Sequence, residues 1–193
     1  MTDEIIQVFK TWWDEASLNA RLKHKGAVCI STVNASGFPE GRFVDLKEVT
    51  ERGFVFCSRF DSAKGVSLRE NPKVGMTAWW DHVEKQVRVK GTVEIVPDSD
   101  ADKYWQTRSR DAQLASWASH QSAELKHTSK LKEKLDQVRK DFANQPIPRL
   151  KNWGGYLIIP VSIEFLAFKQ NRLHERVLYS KTVNGWEKTL LQP

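Results

Sequence analysis

Apolar residues recur at helical spacing over residues 4–19, where Ile5, Ile6, Phe9, Trp12, Trp13 and Ala16 fall on one stripe. That stripe predicts a helix laid against a core. Over 27–33 the pattern changes to apolar and small residues in alternation, the period of a half-buried strand. Asn34-Ala-Ser-Gly37 supplies turn chemistry ahead of Phe38-Pro39. Strands follow over 42–48 and 53–58. The second, Gly53-Phe-Val-Phe-Cys-Ser58, is apolar almost throughout and predicts burial on both faces. Asp61 and Ser62 are N-cap residues for a short helix over 62–70 that ends at Asn71-Pro72. Residues 73–80 and 86–96 read as strands joined through 81–85. Pro97-Asp98 opens a helix carrying Lys103, Tyr104 and Trp105, with a second helical piece over 110–118. Residues 129–144 are amphipathic through Leu131, Leu135, Val138 and Phe142, and Pro146-Ile-Pro148 reads as a linker. The last strands lie at 156–168, 176–181 and 186–191. Many short strands broken by a few helices predict a mainly β fold with helices (α+β), a closed antiparallel barrel in one domain spanning 1–193.

Composition narrows the partners. The 193 residues carry a net charge of +6, which admits a polyanion, but the densest basic run, 126–140, alternates with acids at helical spacing. It reads as a solvated helix face, so no nucleic-acid partner is expected. No apolar run approaches the roughly 20 residues of a membrane span. The opening Met1-Thr-Asp-Glu lacks a signal-peptide layout, and Cys29 and Cys57 sit in apolar strand patterns as buried thiols; both point to the cytoplasm. His24, His82, His120, His127 and His174 show no ligand spacing and the cysteines form no CxxC, so no metal site is expected.

The candidate chemistry gathers over 42–64. Arg42-Phe-Val-Asp-Leu-Lys47 opens and closes on cations, and Ser58, Ser62 and Lys64 follow at a strand end and a helix start. Free helical N–H groups, a capping hydroxyl and a lysine make an anion site; the same residues also fit an edge strand with solvated basic ends. Arg42 and Lys47 differ in parity, so a regular strand sends them to opposite faces. Either the strand is bulged or the two serve different parts of a site, and the second is favoured here.

The blocks Arg-x-Val-x-Leu-Lys, Gly-Phe-Val-Phe and Ser-x-Lys resemble the flavin-binding core of the pyridoxine/pyridoxamine 5′-phosphate oxidase family. From about Ala27 onward, Glu84-Lys-Gln-Val-Arg-Val89, Ser119-His-Gln-Ser122, Trp153-Gly-Gly155 and Asn171-Arg-Leu-His-Glu-Arg176 follow in the family order. The resemblance implies an FMN-binding split β-barrel, a homodimer with flavin between the subunits. Such an interface would also bury Trp79-Trp80 and the stripe of residues 4–19. It implies that Arg42, Ser58 and Lys64 hold the FMN phosphate, that Val44, Asp45, Leu46 and Lys47 line the ring, and that Phe43, Cys57, Ser62, Gln86, Gln121, Ser122 and Arg176 make further contacts. Tyr104, Arg108 and Lys47 are implied for the substrate phosphate. Tyr104 and Arg108 stand one helical turn apart. Arg172 and His174, read as flanking Leu173 in an extended segment, are implied over the reacting carbon.

The implied activity is oxidation of pyridoxamine or pyridoxine 5′-phosphate, a small phosphorylated pyridine, by FMN, with dioxygen as electron acceptor. The alternatives are a same-fold FMN oxidoreductase with another substrate, as in a phenazine pathway, and a non-enzymatic carrier of FMN or pyridoxal phosphate. Four positions depart from the family pattern. Ala63 replaces an Arg, Cys57 a Tyr, Ala112 a Ser of the substrate-phosphate cup, and Leu166 a Trp near the flavin. The family's longer basic arm is also expected to be lacking ahead of the first helix.

Overall fold

The computed structural model describes residues 1–18 and 23–193. Among them the helical stripe becomes α1 (Asp3–Ser17), capped by the Thr2 hydroxyl, which accepts from the Ile5 N–H. The predicted end of this helix, residue 19, lies outside the described residues. Then come β1 (Ala27–Val33), β2 (Pro39–Val49), β3 (Phe54–Arg59), α2 (Ala63–Glu70), β4 (Lys73–Trp80) and β5 (Lys85–Ile95). A helical layer, α3 (Asp98–Gln106), α4 (Arg110–Ala118) and α5 (Thr128–Asp141), separates these from β6 (Trp153–Ala167), β7 (Glu175–Thr182) and β8 (Gly185–Leu191). The strands are those the alternation predicts, with β2 and β6 starting slightly earlier.

Every pairing is antiparallel, in the order β3-β2-β1-β4-β5-β6-β7-β8, and a further β3–β6 pairing closes the first six strands into a barrel. β6 makes this possible by changing neighbours along its length. Residues 153–158 pair with β3, while 162–167 pair with β7. The crossover needs bare backbone: a Cβ on Gly91 would sit 2.3 Å from the Ile159 carbonyl oxygen, and the register of β5 against β6 shifts there. Gly53, in the β2–β3 turn, has φ +154 and would carry a Cβ 1.8 Å from the Ile158 oxygen.

The barrel interior is filled by Val28, Ile30, Phe54, Phe56, Met76, Val87, Ile158 and Ile163, with β3 buried on both faces as its run predicts. α1 adds Ile5, Phe9 and Ala16; Phe9 stands edge-on to Phe54 at 4.9 Å and to Trp80 at 5.8 Å. Ile5, Phe9 and Ala16 of the stripe and Trp80 are therefore buried within their own chain, whereas Ile6, Trp12 and Trp13 are half-buried and Trp79 remains 47% exposed. A second cluster joins Trp105, Leu114, Ile147 and Trp153 under the helical layer. Ile147, within the predicted linker, is buried there, and its carbonyl accepts from Trp105 Nε1 at 2.7 Å. That stretch is a clamp, not a spacer.

Candidate functional site

Between the β2–β3 wall and the helical layer opens a cleft of about 620 Å³. β2 contributes Arg42, Phe43, Val44 and Asp45; β3 contributes Cys57, Ser58 and Arg59; α2 contributes Lys64. Arg108, Ala112, Ser116, Gln121 and Trp153 form the opposite side.

One end of the cleft is built on Lys64. Its side chain stems from the first turn of α2 and is 5% exposed. It donates to Ser58 Oγ at 3.0 Å and Ser62 Oγ at 3.4 Å. No carboxylate pairs with it among the described residues. Burial pulls its ammonium down to about 8, and the Arg42 guanidinium pulls the same way. Arg42 donates to Thr32 Oγ1 at 2.7 Å and pairs with Glu40 at 2.9 Å. Ser62 is fully buried as the α2 N-cap, donating to the Arg59 carbonyl; it supports Lys64 and does not line the cleft.

The other end is built on Arg108. Its Nη2 donates to the Ala112 carbonyl at 2.9 Å and to Ser116 Oγ at 3.0 Å, and the guanidinium lies 5.0 Å from the Trp153 ring. Its Nε is buried with no hydrogen-bond partner, and burial holds its pKa below the usual guanidinium value. Between the ends sits Cys57, half-buried, whose thiol burial pushes up to about 12 against the opposing pull of Lys47 and Arg108. It is an apolar wall and not a nucleophile. Cys29, also expected as a buried thiol, is likewise only partly buried, because it shares the outward face of β1 with Ser31.

Several expected residues point elsewhere. Leu46 is buried in the barrel core, so its side chain cannot line the cleft. β2 is bulged at Lys47: Leu46 faces Phe56 while Glu48 faces Val55. Lys47 nonetheless shares the side of Asp45, with which it pairs at 2.5 Å, so the strand is bulged and the two cations still diverge. α3 ends at Gln106, which puts Arg108 in the link to α4 and removes the helical reason for pairing it with Tyr104. Tyr104 donates instead to Glu48 Oε2 at 2.5 Å and lines a neighbouring cleft of about 830 Å³. Gln121 and Ser122 sit in an exposed turn after α4; with Ala63 they line a third cleft of about 600 Å³.

Gln86, Arg172, His174 and Arg176 do not line the 620 Å³ cleft. Gln86, Leu166 and Arg176 stand in one register row across β5, β6 and β7. Arg176 is held there by Glu164 at 2.9 Å. The β6–β7 loop is curled, not extended: Arg172 has φ +64 and its N–H donates to the Lys169 carbonyl. His174 Nδ1 accepts from the Lys169 N–H at 3.1 Å, which leaves Nε2 as the protonated nitrogen.

Comparison with known proteins decides the family. Residues 15–141 match pyridoxamine 5′-phosphate oxidase, and 153–193 match the pyridoxine 5′-phosphate oxidase C-terminal dimerisation region. The pyridoxine/pyridoxamine 5′-phosphate oxidase of Nostoc punctiforme is 39% identical, covering 96% of this chain and 86% of its own length. That of Synechocystis is 40% identical over 94% and 85%. The chain belongs to the pyridoxamine 5′-phosphate oxidase family. Among solved structures, PhzG from Burkholderia lata in complex with tetrahydrophenazine-1-carboxylic acid superposes with a TM-score of 0.91 at 30% identity, covering 97% of this chain and 92% of PhzG.

The family match begins at residue 15, ahead of the resemblance read from Ala27. Arg172, His174 and Arg176 all fall within the matched dimerisation region. Arg59, overlooked in the sequence, is buried in the cleft wall. It forks onto Asp61 at 2.7–2.8 Å and donates to the Ser116 and Ser119 carbonyls, tying β3 to α4. The Arg-Phe-Asp spacing at a strand end was its only signal.

Proposed function

We propose that the chain is an FMN-dependent oxidase of pyridoxamine or pyridoxine 5′-phosphate, a cytoplasmic homodimer in which 1–193 form one FMN-binding domain. The observation that carries this reading is two cations in one cleft, Lys64 buried and Arg108 partly buried, neither paired with a carboxylate among the described residues. A buried cation costs free energy unless an anion meets it, so the cleft fits one with two phosphates. The FMN phosphate falls to Lys64 and Arg42, with the Ser58 hydroxyl free to donate because its oxygen already accepts from Lys64. The substrate phosphate falls to Arg108, whose Nε–H has a donor to spare, and to Lys47 and Tyr104 once they leave Asp45 and Glu48. Phe43, Val44 and Cys57 supply the apolar wall between.

The chemistry FMN supplies when bound is two-electron oxidation of the substrate's C4′ position, with dioxygen taking the electrons on to hydrogen peroxide and pyridoxal 5′-phosphate as product. The remaining residues come from a second copy. Gln86 and Arg176 reach the flavin, and Arg172 and His174 stand over the reacting carbon, where the Nε2–H of His174 is a hydrogen-bond donor. The dimerisation region that holds Arg172, His174 and Arg176 supports this placement.

Anaerobic addition of pyridoxamine 5′-phosphate to the FMN-loaded protein tests the reading. The flavin absorption should bleach and return with air. A flavin spectrum unchanged by the substrate would remove the oxidase reading and leave the carrier. A second reading, oxidation of a fused-ring carboxylic acid, is favoured by the superposition on PhzG and by the methyl of Ala112, where the family resemblance implies a hydroxyl. Bleaching by such an acid and not by pyridoxamine 5′-phosphate would select it.

A further inference from the structure

Two of the three donors assigned to the substrate phosphate are already committed inside the chain. Lys47 Nζ pairs with Asp45 Oδ2 at 2.5 Å, and the Tyr104 hydroxyl donates to Glu48 Oε2 at 2.5 Å. The bulge at Lys47 makes both pairings possible, because it brings Lys47 and Glu48, neighbours in sequence, out of the barrel core together. Glu48 holds Tyr104 in the 830 Å³ cleft while Arg108 faces the 620 Å³ one, so the two donors line different cavities. Asp45 lines the Arg108 cleft, and its charge reaches both Arg108 and Cys57.

We propose that Asp45 and Glu48 are specificity-determining residues that narrow the chain's preference for a phosphorylated over an unphosphorylated substrate. This rests on the reading of Lys47, Tyr104 and Arg108 as phosphate donors. An entering phosphate dianion must take Lys47 from Asp45 and Tyr104 from Glu48. Both carboxylates then stand beside it as like charges. A ligand without phosphate leaves both pairs intact and meets neither cost. Ala112, which offers no hydroxyl, adds nothing to offset the competition.

The test is calorimetric binding of pyridoxal 5′-phosphate and of pyridoxal to the FMN-loaded protein and to its Glu48→Gln, Asp45→Asn and doubly substituted forms. The double variant should bind pyridoxal 5′-phosphate about tenfold more tightly, the equivalent of one charge-assisted hydrogen bond released to the ligand. Its affinity for pyridoxal should move by less than about twofold, since no phosphate competes there. Glu48→Gln alone, which is isosteric and lies outside the flavin-lining run, should give about a threefold gain for the phosphate form only. Unchanged affinities, or equal shifts for the two ligands, would overturn the proposal. Anaerobic bleaching by pyridoxamine 5′-phosphate is scored separately: its absence removes the oxidase reading, whereas the paired affinities judge the two carboxylates on their own.

Discussion

The cleft and the outer face of β5–β7 both gather cations against the barrel, yet they treat them in opposite ways. On the outer face Arg88 and Arg176 converge on Glu164, which is nearly buried. Burial alone would raise the Glu164 carboxyl, but hydrogen bonds from the two arginines overrule it and hold the carboxyl below its usual range. In the cleft Arg59 follows the same rule with Asp61. Lys64 and Arg108 do not. Lys64 is buried and Arg108 partly so; both lean on hydroxyls and carbonyls, and neither forms an ion pair with a carboxylate among the described residues. The Arg59, Arg88 and Arg176 pairs hold elements of the fold together; in the proposed function, Lys64 and Arg108 are where an anion from outside completes the site.

The contrast breaks most visibly at Arg59. Arg59→Met removes both Asp61 bonds and both carbonyl bonds across β3 and α4, and should cost about 3 kcal/mol of stability. The urea midpoint of the FMN-free protein measures it, and a loss below about 1 kcal/mol would place Arg59 with the ligand cations instead. Glu164→Gln comes next. Arg88 is half exposed and Arg176 a quarter, so solvent screening reduces the loss to about 1 kcal/mol, read from the same midpoint.

The smallest effect sharpens the comparison through pH. Lys64 has its folded pKa at about 8, below the ordinary 10.5. Between those values the unfolded chain holds a proton that the folded, FMN-free chain has released. The Lys64 contribution to stability therefore rises as pH climbs from about 8 toward 10.5. FMN binding needs the ammonium and should weaken over the same window, by at most about tenfold per pH unit. Fluorescence titration with FMN at several pH values reads it, and a flat profile would remove Lys64 from the phosphate.

Much of this was legible in the chain because strand alternation, capping residues and the Arg-x-Val-x-Leu-Lys block are local signals. The cation pairs were less so. The parity of Arg42 and Lys47 leaves a bulge open as one of two readings but cannot decide it, since a bulge is a property of register against β3 and not of β2 alone. Tyr104 and Arg108 look like helical neighbours until α3 stops at Gln106, and Arg172 looks extended until its φ turns positive. Each miss came from reading spacing as geometry across an element boundary. Lys64 was found because its site is local: Ser62, Lys64 and Ser58 lie within seven residues of chain.

The central claim is that Lys64 and Arg108 seat two different anions at two ends of one cleft. It is tested most directly by calorimetry of FMN and of pyridoxal 5′-phosphate on Lys64→Met and Arg108→Met. Lys64→Met should lose about 1.5–3 kcal/mol of FMN affinity, and Arg108→Met should keep FMN while losing a similar amount for pyridoxal 5′-phosphate. Losses that fall on the same ligand in both variants would contradict the account.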